Sequence, residues 1–357
     1  MVKATIRDKS GPRLPARLQR EFAPRLLAWQ ALHGRSHLPW QNTRDPYRVW
    51  LSEIMLQQTQ VLTVIDYYQR FLARFPTVEV LAAAPLDEVL GLWSGLGYYS
   101  RARNLHRCAV QLASRGGGFP RSAEQLQQLP GIGPSTAAAI ASFCFDERSA
   151  ILDGNVKRVL ARVLAYEGDL ATSPAHRQLA LWAEQLLPPA QQMPQYSQAI
   201  MDLGATVCST RQPHCIDCPM RGLCAAERQG QAMDYPVKSR RLKRSSQRLW
   251  LLWAQRADGA VWLERRPEQG IWGGLQCLPM FESLDGLMAC VPLRARSQAQ
   301  ELPGFLHVLT HRDLHLHPVR LPWDLRSSRG LPAGRWWPQN ELASLGLPTP
   351  VRKLLGA

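Results

Sequence analysis

Four of the eight cysteines lie within 17 residues of one another, in the pattern C-x6-C-x2-C-x5-C. They are Cys208, Cys215, Cys218 and Cys224. Four thiolates this close can wrap one metal centre, and thiolate-only ligation favours zinc or an iron–sulfur cluster. Zinc sites usually contain two tight cysteine pairs, whereas only one pair is tight here. The spacing therefore predicts a metal-binding loop and leaves both metals open.

The composition favours an intracellular protein with a polyanionic partner. Lys and Arg total 43 against 28 Asp and Glu, a formal net charge of +15. A surplus of this size favours nucleic acid first and an anionic membrane second. No stretch reaches the roughly 18 apolar residues of a spanning helix, and charges from Lys3 to Lys9 interrupt any signal-peptide core. We therefore predict a cytoplasmic, nucleoid-associated protein without a membrane partner or a disulfide framework.

The chain divides into four predicted segments. Residues 1–21 are basic and rich in Arg and Pro, which indicates a mobile arm; an untidy terminus is the alternative. From 22 to 224, apolar residues recur at the three- and four-residue spacing of helices. Residues 225–247 are predicted to be an exposed basic linker, since Pro236–Arg248 holds six positive residues and no acid. Residues 248–357 form the second domain.

Local signals predict individual elements in both domains. Asp45 followed by Pro46 is the pattern of an N-cap and a first-turn proline, and predicts a helix through Leu56. In the second domain, apolar runs at 249–254 and 260–263 flank the turn signal Asp258-Gly259, which predicts a hairpin. Further strands are predicted at 307–318 and 320–321, and helices at 283–290 and 350–355. The second domain is therefore predicted to be α+β, after a mainly α first domain.

A glycine-rich turn lies between two helical patterns at residues 129–141. Gly131 and Gly133 let the backbone approach a ligand closely. Pro134 sets a helical first turn, whose free N–H groups attract phosphate. A lone G-x-G would be only a tight turn. With a helix on each side, the segment resembles a helix-hairpin-helix, which grips the DNA backbone without reading its sequence.

Two carboxylates are candidates for catalysis. Asp153 precedes Gly154 at a predicted helix start, and by itself could be only an N-cap. Glu53 lies four residues before Gln57 on a mostly apolar helix, and by itself could be solvated. Breaking an N-glycosidic bond needs an acid for the leaving base and a carboxylate for the positively charged sugar. Taken together, Glu53 and Asp153 match that requirement.

These motifs occur in the order found in the MutY-type adenine DNA glycosylases of the endonuclease III superfamily, which the sequence closely resembles. The resemblance rests on residues 51–60, 95–105 and 151–158, on the hairpin at 129–141 and on the four cysteines. It is strong over residues 22–224 and looser in the second domain. It implies a monofunctional enzyme that hydrolyses the bond to adenine mispaired with 8-oxoguanine or guanine in base excision repair. It also implies double-stranded DNA as partner, a monomer, and a [4Fe–4S] cluster on the cysteines.

The resemblance also implies roles for single residues. Glu53 would protonate adenine and help to place water, Asp153 would stabilise or attack the sugar, and Asn155 would orient the site. The positions matching the adenine pocket are Trp40, Gln41, Leu56 and Gln198. Gln58 and Tyr98 match side chains that wedge into the base stack opposite the flipped base. The other residues predicted to contact DNA are Gln57, Thr59, Gly131, Gly133, Ser135, Thr310 and His311.

The sequence departs from related patterns at three places. Ser135 stands where endonuclease III-type relatives carry a Schiff-base lysine, so strand cleavage should be weak or absent. Residues 271–279 resemble the Nudix-like module that reads 8-oxoguanine, but the chain has no Nudix acidic box, so hydrolysis is not expected there. The family's Phe-Ser-His triplet aligns with 309–311, where Leu309 replaces the aromatic residue. The preference for 8-oxoguanine over guanine is therefore left open.

Three other hypotheses compete with adenine removal. The first is a lyase of the endonuclease III type acting on oxidised pyrimidines, against which Ser135 and the second domain argue. The second is a non-catalytic DNA-binding protein with a redox-sensing cluster, in which Glu53 and Asp153 would be idle. The third is a zinc-stabilised scaffold, which the visible absorption of an iron–sulfur protein would exclude.

Overall fold

The computed structural model describes residues 12–239, 244–323 and 330–357, and these cluster into two units. The first unit comprises the described residues of Met1–Tyr68 and Gln111–Arg241. The second comprises those of Gln69–Val110 and Leu242–Ala357. The helical segment Gln69–Val110 thus groups with the C-terminal part of the chain, which the sequence pattern did not predict. Among the described residues, no helix is both long and apolar enough to cross a membrane.

Helices make up the regular structure of the described chain before Ser245, which confirms the mainly α class predicted there. They are α1 (Ala16–His33), α2 (Pro46–Leu56), α3 (Val61–Arg74), α4 (Val78–Ala83), α5 (Leu86–Trp93), α6 (Ser100–Ala113), α7 (Ala123–Leu126), α8 (Pro134–Phe145), α9 (Gly154–Val163), α10 (Ser173–Gln185), α11 (Met193–Asp202) and α12 (Ala225–Arg228). A π-helical turn, Leu203–Val207, continues α11.

The start of α2 agrees with its sequence signal. The Asp45 side chain accepts a hydrogen bond from the Tyr47 amide at 2.9 Å, and Pro46 occupies the first turn. By contrast, α1 begins at Ala16, inside the segment predicted to be an arm. Leu18 and Phe22, one helical turn apart, are both buried, so the first turns of α1 pack on the core. The rest of the arm prediction, residues 1–11, falls outside the described residues.

The core of the first unit positions the helices that carry the candidate site. Leu26 of α1, Leu160 of α9 and Leu179 of α10 are fully buried in one cluster with Ala199 of α11. Helix α11 packs against α1, α8 and α9. The polar residues at the ends of these helices are therefore held by close-packed apolar side chains.

The second unit contains a mixed sheet in addition to its helices, as the α+β prediction requires. Its strands and helices after residue 244 are β1 (Ser245–Gln255), β2 (Val261–Arg265), β3 (Gln276–Cys277), β4 (Met280–Phe281), α13 (Leu284–Cys290), β5 (Gln300–Glu301), β6 (Phe305–Val308), β7 (Arg312–Pro322), β8 (Arg335–Trp337) and α14 (Thr349–Leu355). The sheet order is β3-β2-β1-β7-β5, with β4 also on β1, β6 on β7 and β8 on β2. Strands β1 and β7 pair in parallel over their whole length.

The predicted hairpin is confirmed. Strands β1 and β2 pair antiparallel with Gln255 opposite Val261. Gly259 takes a positive φ of 84°, and the Asp258 side chain accepts from the Ala260 amide at 2.9 Å. The linker prediction fits less well, because α12 and the first residues of β1 lie inside 225–247. Ala226 is fully buried, so α12 packs on the first unit instead of extending into solvent. Residues 240–243 of the predicted linker lie outside the described ranges.

Candidate active site

A cavity of about 940 Å³ opens in the first unit between α2, the start of α8, the start of α9 and α11. Predicted site residues from distant parts of the sequence line this one cavity. They are Trp40, Gln41, Glu53, Leu56, Gln57, Gln58, Thr59, Gly133, Ser135, Asp153, Asn155 and Gln198. Tyr98, Thr310 and His311 belong to the second unit, and Gly131 and the four cysteines lie elsewhere in the first unit. The helices thus bring together the residues of the predicted catalytic and adenine-binding groups.

Glu53 lies on α2 and reaches the cavity between apolar neighbours. Val49 and Leu56, about one turn away on either side, line the same wall. Burial raises the pKa of Glu53 to about 8, and the nearby negative charge of Asp153 adds to the rise. At neutral pH this carboxyl therefore carries a proton, which is the state that a general acid requires.

Asp153 has a different environment, although it faces the same cavity. It is the N-cap of α9, and its Oδ1 accepts a hydrogen bond from the Val156 amide at 2.7 Å. Burial raises the pKa of Asp153, but the amides of Val156 and Asn155 and the charges of Arg158 and Lys157 oppose that rise. These donors favour the carboxylate form. Asp153 is thus a helix cap and a cavity carboxylate at once.

Arg158 fixes the first turn of α9. Its Nη2 donates to Asn155 Oδ1 at 2.9 Å and to the Gly204 carbonyl at 2.6 Å, and its Nε donates to the Cys208 carbonyl at 2.8 Å. These bonds orient the Asn155 side chain and join α9 to the start of the cysteine loop. The sequence placed Arg158 inside a motif but indicated no role for it, because two of its three acceptors lie 46 and 50 positions away.

Asp202 supports the cavity wall through Gln198, and the sequence analysis missed it. It is completely buried, and its Oδ1 accepts from Gln198 Nε2 at 2.9 Å and forms an ion pair with Arg35 Nη2 at 2.6 Å. Its Oδ2 accepts from the Arg35 amide at 2.9 Å and from Gln30 Nε2 at 3.2 Å. Asp202 follows Gln198 by four residues, which places both on one face of α11. The four-residue spacing was the one signal in the sequence that could have linked Asp202 to Gln198, and by itself it is weak.

Within the described part of the chain, the side-chain amide of Gln41 is hydrogen-bonded through its oxygen and not through its nitrogen. Its Oε1 accepts from the Leu38 amide at 3.1 Å. Its Nε2 is buried, and among the described residues it has no hydrogen-bond partner. A buried donor without a partner in a cavity wall suits a ligand that offers an acceptor there.

Two residues predicted to wedge into DNA share an unusual backbone. Gln58 has φ 58° and Tyr98 has φ 48°, the left-handed region that non-glycine residues seldom adopt. Strained backbone of this kind concentrates at functional sites. Gln58 follows the end of α2, where Gln57 donates to Thr136 at 3.2 Å. In the second unit, the Tyr98 and Thr310 hydroxyls share a hydrogen bond of 2.5 Å, and His311 beside it is exposed.

The hairpin predicted at 129–141 is present. Helices α7 and α8 flank it, Gly131 has φ 76°, and Gly133 is the N-cap of α8 with Pro134 in the first turn. The Ala137 amide donates to the Gly133 carbonyl at 2.9 Å, so the earlier amides of α8 point outward. Ser135, half-buried in this turn, lines the cavity that Glu53 and Asp153 share.

The four clustered cysteines converge on a second, small pocket. Cys208, Cys215, Cys218 and Cys224 all line it, together with Arg162. No cysteine in the described ranges forms a disulfide. Within the same ranges, no three His, Cys, Asp or Glu side chains form a group that could hold a metal ion. The four cysteines nevertheless line one pocket, and four sulfurs are the donor set that a thiolate-held centre requires.

Two family models match the chain. Residues 51–185 match the HhH-GPD superfamily base excision DNA repair protein, and residues 250–357 match the NUDIX domain. The first match spans α2 to α10 and includes Glu53, Ser135 and Asp153. The second spans the sheet from β1 onward.

The chain is also similar to named proteins. Adenine DNA glycosylase from Buchnera aphidicola subsp. Baizongia pistaciae is 36% identical over 343 residues, which is 94% of this chain and 95% of that protein. The mouse (Mus musculus) adenine DNA glycosylase is 48% identical over 215 residues, 57% of this chain and 41% of that protein. The structure of a thermostable thymine-DNA glycosylase is 28% identical with a TM-score of 0.55, covering 60% of this chain and 98% of that one.

Proposed function

The chain belongs to the adenine DNA glycosylase family, whose members hydrolyse N-glycosyl bonds in base excision repair, and from that premise we propose its specific reaction. It removes adenine from double-stranded DNA, opposite 8-oxoguanine or guanine, and leaves an abasic site without cutting the strand. The observation that carries the proposal is the pairing of Glu53 and Asp153 in one cavity, with the pKa of Glu53 raised to about 8. The protein acts as a monomer.

The two carboxyls divide the chemistry between them. Protonated Glu53 donates to a ring nitrogen of adenine, which turns the base into a better leaving group. The amide of Val156 and the charge of Arg158 favour the ionised form of Asp153, and this carboxylate stabilises the positive charge that develops on the sugar. After the base has left, ionised Glu53 orients the attacking water. Gln41 Nε2 and Gln198 bind the flipped base, while Trp40 and Leu56 enclose it.

Ser135 supports the monofunctional part of the proposal. A bifunctional glycosylase of this type needs an amine near the sugar to form a Schiff base. Ser135 lines the cavity wall, and the sequence resemblance implies that it stands where endonuclease III-type relatives carry that lysine. A hydroxyl cannot form an imine, so the reaction ends with water at the sugar.

DNA is held by the hairpin and opened by two wedges. The free amides at the start of α8 bind a phosphate of the DNA backbone, and Gly131 and Gly133 let the backbone of the hairpin approach it closely. Gln58 of the first unit, with Gln57 and Thr59 next to it in the sequence, enters the base stack, and so does Tyr98 of the second unit. Each insertion offsets part of the unstacking cost of a few kcal/mol. Thr310 and His311 of the second unit contact 8-oxoguanine.

The cofactor is a [4Fe–4S] cluster held by Cys208, Cys215, Cys218 and Cys224. The support is the donor set, four sulfurs around one pocket, together with the spacing of the cysteines. When bound, the cluster would cross-link the 208–224 loop through its bonds to the four cysteine sulfurs. No step of base removal is assigned to it.

The deciding experiment is single-turnover cleavage of a duplex with adenine opposite 8-oxoguanine, read with and without alkali. We expect strand breaks only after alkali, and none in a matched duplex with adenine opposite thymine. Strand breaks without alkali would favour the lyase hypothesis. A protein that binds the duplex but leaves no abasic site would favour the non-catalytic hypothesis.

The rate of adenine removal should depend on pH through Glu53. Only the protonated acid can donate, so kcat/KM should reach a plateau that ends near pH 7 and fall about tenfold per unit above about pH 8. On the acid side the rate should fall as Asp153 is protonated, at a pH above the usual carboxyl range, because burial raises its pKa. Steady-state rates across this range, with folding checked by circular dichroism, measure the profile. A rate that keeps rising through pH 9 would contradict the assignment.

The hydrogen bond between Tyr98 and Thr310 should contribute to the choice of the opposite base. Thr310→Val keeps the side-chain shape and removes the hydroxyl. We expect the ratio of rates opposite 8-oxoguanine and guanine to fall by up to roughly tenfold, the value of one neutral hydrogen bond. Tyr98→Phe should give the same loss, and the double variant should lose no more than either single one. Additive losses would mean that the two hydroxyls act independently.

A further inference from the structure

Arg162 is a buried arginine whose side chain is directed at the cysteine loop. It lies on α9 and is only 2% exposed. Its Nη1 donates to Cys208 Sγ at 3.3 Å and to the Ser209 carbonyl at 2.6 Å. Its Nη2 donates to the Thr210 carbonyl at 3.3 Å, and its Nε to the Tyr235 carbonyl at 3.1 Å. One guanidinium thus binds a cysteine sulfur and three backbone oxygens.

The same residue contacts one more of the clustered cysteines. Its peptide carbonyl accepts a hydrogen bond from Cys224 Sγ at 3.3 Å. Arg162 therefore contacts the first and the fourth cysteines of the loop.

The charge of Arg162 is not balanced by these acceptors. Three carbonyl oxygens are neutral dipoles, and burying a guanidinium without an opposite charge is costly. Cysteines that hold a metal centre are thiolates, so the pocket gains negative charge when the centre is bound. A thiolate at Cys208 would give the buried guanidinium the counter-charge that the carbonyls do not.

We infer that Arg162 is a positioning residue for the thiolate-held cluster, which it anchors through residues 208–210 and whose reduction potential it raises. The inference rests on the cofactor part of the proposed function. Donors to the sulfurs and positive charge nearby favour the more negative, reduced state of such a centre. Removing Arg162 should therefore make the cluster harder to reduce and easier to lose.

The test compares the parent protein with Arg162→Gln, Arg162→Lys and Arg211→Gln. Arg211 lies in the same loop but is exposed, so its charge is screened by solvent. The readouts are iron and sulfide content, the reduction potential by voltammetry, and the rate of iron loss to a chelator. We expect a lower potential and faster loss in Arg162→Gln, and parent values for both in Arg211→Gln.

Arg162→Lys separates charge from anchoring. An ammonium keeps the charge but cannot reach the sulfur and three carbonyls together. We expect its potential to lie nearer the parent value than that of Arg162→Gln, with faster iron loss than the parent. If Arg162→Gln retains no cluster, the test rests on Arg162→Lys. Iron loss from Arg162→Lys at the parent rate would then overturn the inference.

Failure of the inference differs from failure of the proposed cofactor. A parent protein that contains iron, with an unchanged potential in Arg162→Gln, would overturn the role of Arg162 alone. A parent protein purified without iron and sulfide would overturn the cluster as well.

Discussion

Replacing Glu53 by glutamine should slow adenine release by roughly 10²- to 10⁴-fold, the usual contribution of a general acid. Glutamine keeps the shape of the protonated carboxyl and can still donate a hydrogen bond, but it has no proton to transfer. Glu53 is the cavity carboxyl that burial keeps protonated, with its pKa raised to about 8. Single-turnover cleavage of a duplex with adenine opposite 8-oxoguanine, developed with alkali, measures the loss.

The matched control is Glu124→Gln. Glu124 lies exposed on α7 in the same unit, so the same chemical change is made outside the cavity. Its rate should equal that of the parent, and both variants should bind the duplex as the parent does. A Glu53→Gln rate within about tenfold of the parent would mean that another group supplies the proton.

The same substitution should raise the stability of the folded protein. A carboxyl whose pKa rises from 4.5 to about 8 binds its proton more tightly when folded than when unfolded. The tighter binding of this proton stabilises the folded protein fully below the pKa that Glu53 has in the unfolded chain. That stabilisation is lost as the pH rises through the pKa that Glu53 has in the folded protein. Glutamine does not ionise and escapes that loss, so Glu53→Gln should gain on the order of 3 kcal/mol at about pH 7.

The gain should be small near pH 5 and increase up to about pH 9, where the folded carboxyl of the parent ionises. Urea unfolding of parent and variant across this range measures the difference. A constant difference would show that the pKa of Glu53 is not raised by folding. Loss of activity together with a gain in stability is the pattern of a residue placed for chemistry at a cost to the fold.

Local signals in the sequence predicted much of this fold because they depend on a few neighbouring residues. Asp45 and Pro46 specify the start of α2 through one side-chain hydrogen bond and a fixed φ. Asp258 and Gly259 specify the β1–β2 turn in a similar way. Elements of this kind need no distant partner to be recognised.

Contacts between distant residues are the part that the sequence did not predict. Arg35 and Asp202 are 167 positions apart, and no periodic pattern links them. The grouping of Gln69–Val110 with the C-terminal strands was missed for the same reason, since its helices carry the same spacing as their neighbours. Motifs in the sequence predicted most of the residues that line the candidate site. Arg35 and Asp202, which hold Gln198 in the cavity wall, lie outside those motifs.

Replacing Asp202 by alanine should lower the free energy of unfolding by roughly 3 to 5 kcal/mol. The side chain is completely buried, and it accepts from the Arg35 amide and guanidinium as well as from Gln198. Without it, the Arg35 charge loses its partner in a partly buried setting, which costs more than the ion pair itself contributes. Adenine release should also slow, because Gln198 loses the bond that fixes it in the cavity wall.

An exposed ion pair provides the control for Asp202. Glu21 lies on α1 between Arg17 and Arg25, with ion-pair distances of 2.9 and 2.5 Å, and solvent reaches all three side chains. Because solvent screens these pairs, Glu21→Ala should lower the free energy of unfolding far less than Asp202→Ala does. Asp202→Asn should fall between the two, since the amide keeps one acceptor oxygen but loses the charge. Urea unfolding of the three variants gives the order, and if Asp202→Ala costs no more than Glu21→Ala, the buried pair does not support the cavity wall.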